Sequence, residues 1–361
     1  MNSRFILPAL LMYSWALAAP SSELVAILVV RENVLEGGKV VEYVGAQRHP
    51  VGSEADLERL LQGLSRMPRP ARFVFRQDKG WIAVEKTGYS FDRARARTAY
   101  NEAQKAGRRE FVLPVLSQAP KQGVVELYQQ GILELIGEGR TNFRGSLPTR
   151  VHNIRLASSR FEGVRIPAGS VFSFNRTLGP VTAAAGYQKA WVIRGSRTVW
   201  DVGGGVCQVC TTVFRAAYFS GLPLVERYPH SYQVGYYRPT GLDATTAPPK
   251  DLRFKNDTPG PILIQTSIDG YELIFRFFGR KDRTVTWSGP YVSDRKPPLP
   301  TRYTYDPSLP RGYRRQIDFA AEGAVVRVYR TVRLNNGVVR SDTLTSRYRP
   351  WGAVYLLGPR R

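Results

Sequence analysis

The stretch DVGGGVCQVCTT at residues 201–212 organises the middle of the chain, because it joins three consecutive glycines to the only two cysteines in the sequence. Glycine takes positive φ without steric cost, so the run at residues 203–205 predicts a sharp turn or a close backbone approach. Apolar residues then recur at spacings of three and four as far as Ala217. This pattern predicts a helix that is buried on one face and closed by Ser220 and Gly221.

A cysteine in the first turn of that helix has chemical consequences. The unpaired N–H groups and the positive end of the helix dipole stabilise the thiolate of Cys207, which is the nucleophilic form. An activated thiol also needs a base, and the base benefits from an orienting carboxylate. His230 and Asp243 follow in that order, on either side of residues 232–236, whose alternation predicts a strand.

Further motifs accompany this stretch on both sides. They are Ile166–Asn175, Glu226–Arg227, His230–Ser231, Gly241–Ala244 and Asp251–Asn256. In this order the motifs resemble those of the VanW family, over about residues 141–280. The resemblance implies a bacterial cell-envelope protein, which in some members of the family is associated with glycopeptide resistance.

The predicted catalytic residues are Cys207 as the nucleophile, His230 as the base and Asp243 as its orienting carboxylate. Gln208, or the backbone amides just before the cysteine, would stabilise the oxyanion. The residues predicted to contact a ligand are Gly203, Gly204, Gly205, Thr211, Thr212, Arg227 and Ser231. No cofactor is expected. No metal site is expected either, because the histidines lack finger-like spacing.

The second cysteine leaves another interpretation open. The family usually has serine where this chain has Cys210, so Cys207 and Cys210 form a Cys-x-x-Cys pair at a helix start. Such a pair is typical of redox dithiols in thioredoxin-type proteins. No thioredoxin-like βαβ pattern surrounds it, so this interpretation ranks behind the two functions described below.

Residues 1–18 have the three parts of a secretory signal peptide, namely Arg4, an apolar run and small residues up to Ala18. The apolar run is short for a membrane span, although an uncleaved anchor is an alternative. We therefore expect a mature protein that is secreted, periplasmic or associated with the cell wall.

The formal net charge of +23 predicts attraction to polyanions. For an exported chain, the expected partner is peptidoglycan or another anionic cell-wall polymer, with peripheral contact with an anionic membrane surface as a further option. No nucleic-acid module is recognisable, so no nucleic-acid partner is expected. A solvated basic surface without a partner is the alternative, and the sequence leaves the oligomeric state open.

The expected fold class is α+β, in a mixed multi-domain chain whose central domain packs a helix on an antiparallel sheet. The expected divisions are a signal peptide at 1–18, an α+β domain that resembles a peptidoglycan-binding module at 19–140, a VanW-like domain at 141–288, a proline-rich linker at 289–312 and a small all-β module at 313–361. The last resembles the glycine-containing β module found at the C-terminus of many cell-wall proteins.

Some local predictions concern the joins between these domains. Residues 124–127 and 132–136 are predicted as short strands. The glycine-containing run at residues 137–145 is predicted to break the pattern and to mark a domain boundary near residue 140. In the C-terminal module, Tyr348 is expected either to fill a thin β core or to offer a sugar-stacking face.

Two functions follow from these observations, and the sequence leaves open whether the chain is an enzyme. The first is a thiol acyl-transferase or amidase that acts on peptidoglycan stem peptides. The second is non-catalytic binding of peptidoglycan or another cell-wall polymer, with an accessory role in glycopeptide resistance. In the second case the glycine run admits a ligand to backbone amides, Arg227 pairs with a ligand carboxylate, and Cys207 is a small buried hydrophobe.

Overall fold

The computed structural model describes residues 23–194 and 197–360, so the predicted signal peptide at residues 1–18 lies outside the described residues. The chain forms two compact units, of which the first ends at Glu134 and the second begins at Leu135. Both units combine helices with antiparallel sheets, which confirms the predicted α+β class. Among the described residues, no helix is long and apolar enough to cross a membrane.

The first unit is built on a sheet of order β2-β1-β4-β3, with β6 parallel to β1. Its strands are β1 (Leu24–Glu36), β2 (Lys39–Val51), β3 (Arg69–Arg76), β4 (Gly80–Lys86), β5 (Gly88–Phe91), β6 (Glu110–Val112) and β7 (Val115–Gln118). Its helices are α1 (Glu54–Leu64), α2 (Arg93–Lys105) and α3 (Val124–Gln129). Strands β1 and β2 form a hairpin, with Gly37 and Gly38 at positive φ in its turn.

Residues 124–129 form a helix rather than the predicted strand. Val124 and Leu127 are both buried, and their spacing of three places them on one helical face. The Glu85 carboxylate accepts a hydrogen bond of 2.6 Å from the Val124 amide, so it caps a helix whose N-cap residue, Gly123, has no side chain to do so. A residue from β4 therefore decides the local structure of this short segment.

The second unit contains a central α+β part and a C-terminal all-β part. The helices of the central part are α4 (Pro148–Ser159), α5 (Phe174–Leu178) and α6 (Val206–Phe219). Its strands are β8 (Glu134–Asn142), β9 (Arg165–Ile166), β10 (Val171–Ser173), β11 (Lys189–Arg194), β12 (Arg197–Val202), β13 (Leu224–Glu226), β14 (Arg253–Lys255), β15 (Ile262–Asp269) and β16 (Glu272–Gly279). The strands of the C-terminal part are β17 (Arg283–Lys296), β18 (Arg302–Tyr305), β19 (Arg314–Asp318), β20 (Gly323–Leu334), β21 (Val339–Tyr348) and β22 (Val354–Leu357).

Helix α6 lies at the centre of the core of the second unit. Nearly all of its side chains are buried, on every face, whereas the sequence predicts burial on one face. Its apolar side chains join a core with those of β15 and β16, which includes Phe214, Phe275 and Phe277. These two strands belong to an antiparallel sheet of order β8-β16-β15-β9. The polar side chains of α6 must therefore find hydrogen-bond partners inside the protein.

Strand β8 passes close to α6 at two glycines. A Cβ at Gly137 would overlap the Ser220 hydroxyl, and a Cβ at Gly139 would overlap the Thr212 carbonyl oxygen. The glycines at residues 137–145 were predicted to break the pattern, but Gly137 and Gly139 lie within strand β8. Because these two residues have no Cβ, the backbone of β8 can approach the backbone of α6. The division between the units lies a few residues earlier, at Glu134.

The proline-rich segment at residues 289–312, which the sequence predicts as a linker, contributes strands to the C-terminal part. The second half of β17 pairs with β20, and β18 pairs with β22. Pro290 falls at a register shift between Ser288 and Tyr291, where its missing N–H removes no ladder hydrogen bond. Strands β20 and β21 form a hairpin whose turn lies around residues 335–337.

The close approach of β8 to α6 leads to a prediction about stability. Gly139→Ala should lower the free energy of unfolding by at least about 2 kcal/mol, because the added methyl group forces the strand away from the helix backbone. The measurement is urea unfolding followed by tryptophan fluorescence and circular dichroism. Gly235→Ala is the matched control, since a Cβ there meets no atom within 4 Å. Equal stabilities of the two variants would contradict the prediction.

Candidate active site

The first turn of α6 holds Cys207 in a partly exposed position. The helix begins after Gly205, whose φ of 111° is a conformation that side chains disfavour. The Sγ atom lies 3.3 Å from the Thr245 hydroxyl and 3.6 Å from the Thr246 carbonyl oxygen. The field of the helix N-terminus favours negative charge on this sulfur.

The face of α6 that carries this thiol also fixes the segment around Asp243. Thr211 and Arg215 follow the cysteine at intervals of four residues, so they lie on the same face. The Thr211 hydroxyl donates to the Ala244 carbonyl at 2.8 Å and accepts from the Ala244 amide at 3.1 Å. Arg215 Nε donates to the Leu242 carbonyl at 2.8 Å. The aspartate is therefore held between two anchored residues.

Residues 231–243 form an irregular loop instead of the predicted strand. Tyr232 is buried, whereas Tyr236, which alternation would place on the same face, is exposed. The Tyr232 ring stacks on Trp351 of the C-terminal part, with ring centroids 4.1 Å apart. Packing against a distant segment thus replaces the strand pairing that the local alternation predicts.

The loop nevertheless brings His230 and Asp243 together. His230 Nδ1 lies 2.6 Å from Asp243 Oδ2, and the same oxygen accepts the His230 backbone amide at 2.9 Å. The two residues are 5% and 3% exposed, so bulk water weakens their interaction little. The Tyr237 ring lies against the imidazole, with centroids 5.0 Å apart.

The other carboxylate oxygen of Asp243 also has partners. The Tyr348 hydroxyl donates to Oδ1, and an Arg227 nitrogen lies 3.4 Å from it. Arg227 further donates to the carbonyls of Asp243 and Gly241, at 2.7 and 3.0 Å. Burial raises the pKa of Asp243, but the hydrogen bond from His230 and the charges of His230 and Arg227 hold it well below its ordinary value. The carboxylate is therefore an anion at neutral pH.

The Cys207 thiol and the His230 imidazole are close enough for each to shift the pKa of the other. Because Nδ1 faces Asp243, the ring nitrogen left for the sulfur is Nε2. Burial raises the pKa of Cys207, but the hydrogen bond and positive charge of His230 outweigh burial and lower the pKa to about 7. Burial lowers the pKa of His230, while its bonds to Asp243 and Cys207 raise it to about 10. At a pH between these two pKa values, the pair consists of a thiolate and an imidazolium.

The other predicted polar residues of α6 face the core. The Gln208 amide nitrogen donates to the Thr141 hydroxyl at 3.1 Å, and its amide oxygen accepts from Arg150 at 2.7 Å. The Thr212 hydroxyl lies 2.7 Å from the Thr141 hydroxyl and donates to the Gln208 carbonyl at 2.7 Å. Gln208, Thr211 and Thr212 are all 0% exposed, so their side chains serve to fix α6 in place.

The glycine run at residues 203–205 is in contact with the protein's own atoms. A Cβ at Gly203 would overlap Val181, and a Cβ at Gly204 would lie 2.7 Å from the Ala190 Cβ. A Cβ at Gly205 would lie 2.9 Å from Ile154. The requirement for glycine at these positions therefore has an explanation in packing, where the chain turns into α6.

The remaining predicted residues also have partners in the chain. The Arg227 side chain, predicted to bind a ligand carboxylate, is 4% exposed and pairs with Asp243. The Ser231 carbonyl accepts the Arg349 amide at 2.8 Å. Cys210 is a free cysteine, 0% exposed, and burial raises its pKa. Within residues 23–194 and 197–360, no group of three or more His, Cys, Asp and Glu side chains could hold a metal ion.

Two residues of the site were missed by sequence reasoning. Thr245, which contacts the thiol, directly follows the Gly241–Ala244 motif, and that proximity was the available signal. Tyr348, expected in the β core or on a sugar-binding face, is 7% exposed and hydrogen-bonded to Asp243. No local pattern connects it to a carboxylate 105 residues away.

Comparisons with known proteins agree with the motifs. Residues 149–278 match the family model described as "VanW like protein", and residues 291–350 match "G5 domain". Uncharacterized protein YoaR of Bacillus subtilis (strain 168) is 32% identical over 203 residues, which cover 56% of this chain and 66% of that protein. Vancomycin B-type resistance protein VanW of Enterococcus faecalis (strain ATCC 700802 / V583) is 26% identical over 138 residues, which cover 37% of this chain and 50% of that protein.

The chain thus spans less than two thirds of the length of either relative. A solved structure entitled "Crystal structure of HP0197-G5" matches 21% of this chain and 99% of its own length, at 20% identity and a TM-score of 0.11. Cys207, His230 and Asp243 lie within the VanW match, and Tyr348 lies within the G5 match. The presence of both regions, with these relatives, indicates a cell-wall-associated protein.

The protonation state of the pair predicts how the thiol reacts. Iodoacetamide should alkylate Cys207 and spare Cys210, with a rate that rises as the pH increases through about 7, because the thiolate is the reacting form. His230→Gln removes the imidazolium and leaves burial to dominate, so the rise should move to the ordinary value of 9.0 or above. The measurement is the alkylation rate against pH, by intact-protein mass spectrometry and peptide mapping.

His152→Gln is the matched control for that experiment. His152 is exposed, and its Nε2 bonds to the Gly186 carbonyl at 2.9 Å. Its substitution should leave the alkylation profile unchanged. A profile that His230→Gln does not move, or rapid labelling of Cys210, would contradict the assignment of the charged pair.

Proposed function

The chain belongs to the VanW family and carries a C-terminal G5 module, and from this premise we propose that it remodels peptidoglycan through a thiol site. The observation that carries the proposal is the series Cys207, His230 and Asp243, in which His230 is hydrogen-bonded to Asp243 and lowers the pKa of the partly exposed cysteine. The proposed reactions are acyl transfer and amide hydrolysis on stem peptides.

The first half of the proposed reaction forms a thioester. The Cys207 thiolate attacks the carbonyl carbon of a stem-peptide amide, so that a C–S bond forms and negative charge moves to the carbonyl oxygen. As the C–N bond breaks, the His230 imidazolium gives its Nε2 proton to the leaving nitrogen and becomes neutral. Asp243 holds the ring in the orientation that both steps need.

The second half restores the site. A water molecule or an amine attacks the thioester carbonyl, and neutral His230 takes the proton that the attacking group loses. The C–S bond breaks, and the electron pair returns to Cys207 as thiolate. Water yields amide hydrolysis and an amine yields acyl transfer, so the acceptor determines which product appears.

The start of α6 is proposed to stabilise the oxyanion. The Gln208 side chain is fully buried, and the amides of Val206 and Gln208 donate to the carbonyls of Gly203 and Gly205 at 3.1 and 3.0 Å. The Cys207 amide lies in the same turn, where no intrahelical carbonyl is available to it. We therefore assign this amide, together with the helix dipole, to the developing negative charge.

The choice of substrate class rests on charge and on the wall-associated family. Stem peptides combine amide bonds with free carboxylates, and a chain of net charge +23 attracts such anions. Export to the cell wall, as the N-terminal sequence predicts, would place the site beside this polymer.

A non-catalytic wall binder is the second candidate, favoured by aromatic side chains on the C-terminal part. Trp287, Tyr291 and Tyr329 are 42%, 54% and 45% exposed, and the rings of the two tyrosines lie 5.6 Å apart. Exposed Tyr and Trp side chains are typical of binding surfaces, because they pair an apolar face with a polar tip. On this proposal the protein binds wall polymer, and the thiol takes no part.

The two candidates make different predictions for purified peptidoglycan fragments, whose products are separated by liquid chromatography and identified by mass spectrometry. On the enzyme proposal, the wild-type protein cleaves or exchanges stem-peptide amides. Cys207→Ser should lower the rate at least about a thousandfold, because a serine hydroxyl in the same place stays protonated. Cys210→Ser is the matched control and should keep most of the activity.

Binding is measured in parallel by sedimentation with intact sacculi. Undiminished turnover in Cys207→Ser would overturn the thiol mechanism. If the wild-type protein binds sacculi and yields no product on long incubation, the binder proposal stands in its place.

A further inference from the structure

The C-terminal part of the second unit packs directly on the loop that carries His230 and Asp243. Val326 of β20 lies against Gly241, where an added Cβ would be 2.6 Å from the valine Cγ1. The Ser346 hydroxyl of β21 donates to the Gly241 carbonyl at 3.1 Å. The backbone next to the carboxylate is therefore seated on the β20–β21 hairpin.

Tyr348, at the end of β21, reaches further into the site. Its hydroxyl donates to Asp243 Oδ1 and accepts the Gly241 amide at 3.1 Å. A phenol that accepts from a backbone N–H and donates to a carboxylate has the direction of its proton fixed. Burial and the neighbouring charge of Asp243 raise the pKa of Tyr348 above its ordinary value, so the phenol stays neutral and remains a donor.

Ionisable groups face Asp243 from every element packed against it. Arg227 and His230 contact its carboxylate directly. The further groups that interact with it electrostatically are Cys210 and Arg215 of α6 and Tyr237 of the loop. All of these belong to the central part of the unit, whereas Tyr348 comes from the C-terminal part.

We propose that Tyr348 is a positioning residue of the thiol site, and that the C-terminal module completes the catalytic unit rather than serving only as a wall anchor. This inference rests on the proposed function of Cys207. The hydroxyl fixes Oδ1, so Oδ2 stays directed at the His230 ring and the ring stays directed at the sulfur. Without the hydroxyl, Oδ1 keeps its 3.4 Å contact with Arg227, and the carboxylate is freer to rotate.

Tyr348→Phe, in the full chain, tests this inference because it removes the hydroxyl and keeps the ring. We expect the pH midpoint of Cys207 alkylation to rise by about one unit, which makes alkylation below the wild-type midpoint about tenfold slower. The reason is that a looser carboxylate stabilises the imidazolium less, and the thiolate then loses part of its counter-charge. Asp243→Asn should raise the midpoint further in the same direction.

Tyr232→Phe is the matched control. It removes a hydrogen bond of 3.1 Å between the same loop and the C-terminal part, and its partner is Asp318 rather than the carboxylate of Asp243. Thermal unfolding should therefore detect both variants, whereas the pH midpoint should move in Tyr348→Phe alone. If Tyr348→Phe does not fold, Val326→Ala replaces it, because this variant loosens the packing of β20 on Gly241. It should raise the pH midpoint by a smaller amount.

The outcomes separate this inference from the proposed function. If the wild-type pH midpoint lies near 7 and Tyr348→Phe does not change it, the inference is wrong and the proposed function is unaffected. If Tyr348→Phe does not fold, an unchanged midpoint in Val326→Ala has the same consequence. An equal shift in Tyr232→Phe also overturns it, because general packing of the loop on the C-terminal part would then account for the effect. A wild-type midpoint at the ordinary value of 9.0 removes the thiol mechanism itself.

Discussion

Burial of α6 on every side is the constraint on which the second unit depends. A helix in that position has little access to water, so most of its polar side chains bind a neighbouring segment. Gln208 and Thr212 bind β8 and α4, while Thr211 and Arg215 bind the segment at residues 242–245. The helix thereby sets the position of its own cysteine and of the aspartate that the histidine needs. Core packing and site geometry are consequences of the same contacts.

The charges of the site are tolerated because they alternate in sign. Arg227 and the His230 imidazolium flank the Asp243 carboxylate, and the Cys207 thiolate faces the imidazolium on its far side. Each charge lies where burial alone would disfavour it, and each is kept by an opposite neighbour. Removing one member of a buried pair typically costs about 3–5 kcal/mol, because the other is left uncompensated. The site is therefore also a structural element of the unit.

Residue type and order were sufficient to single out side chains that the fold brings together. A cysteine after a glycine turn, at the start of an apolar-periodic helix, is a local pattern, and the sequence predicts Cys207, His230 and Asp243 from it. The fold class also follows from local alternation and turn residues. Arg227 was predicted to bind a ligand carboxylate, but it pairs with Asp243. The loop that brings these two residues together packs on Trp351, which is distant in the sequence.

What the sequence did not reveal depends on contacts between distant segments. Gly137 and Gly139 interrupt an apolar pattern, and only the crossing of α6 makes them part of a strand. Val124 and Leu127 belong to a short apolar run that was predicted as a strand, and the Glu85 carboxylate caps this segment as a helix. Tyr348 is one of many tyrosines in a β module, and its partner lies in another part of the fold.

The burial of Cys210 has a consequence for damage by peroxides. A partly exposed thiolate such as that of Cys207 is readily oxidised to a sulfenic acid, which a nearby second thiol can convert to a disulfide. Cys210 is fully buried and its raised pKa keeps it protonated, so it is badly placed to resolve that lesion. Recovery then requires a reductant from outside the chain, and without one oxidation proceeds to the irreversible sulfinic acid.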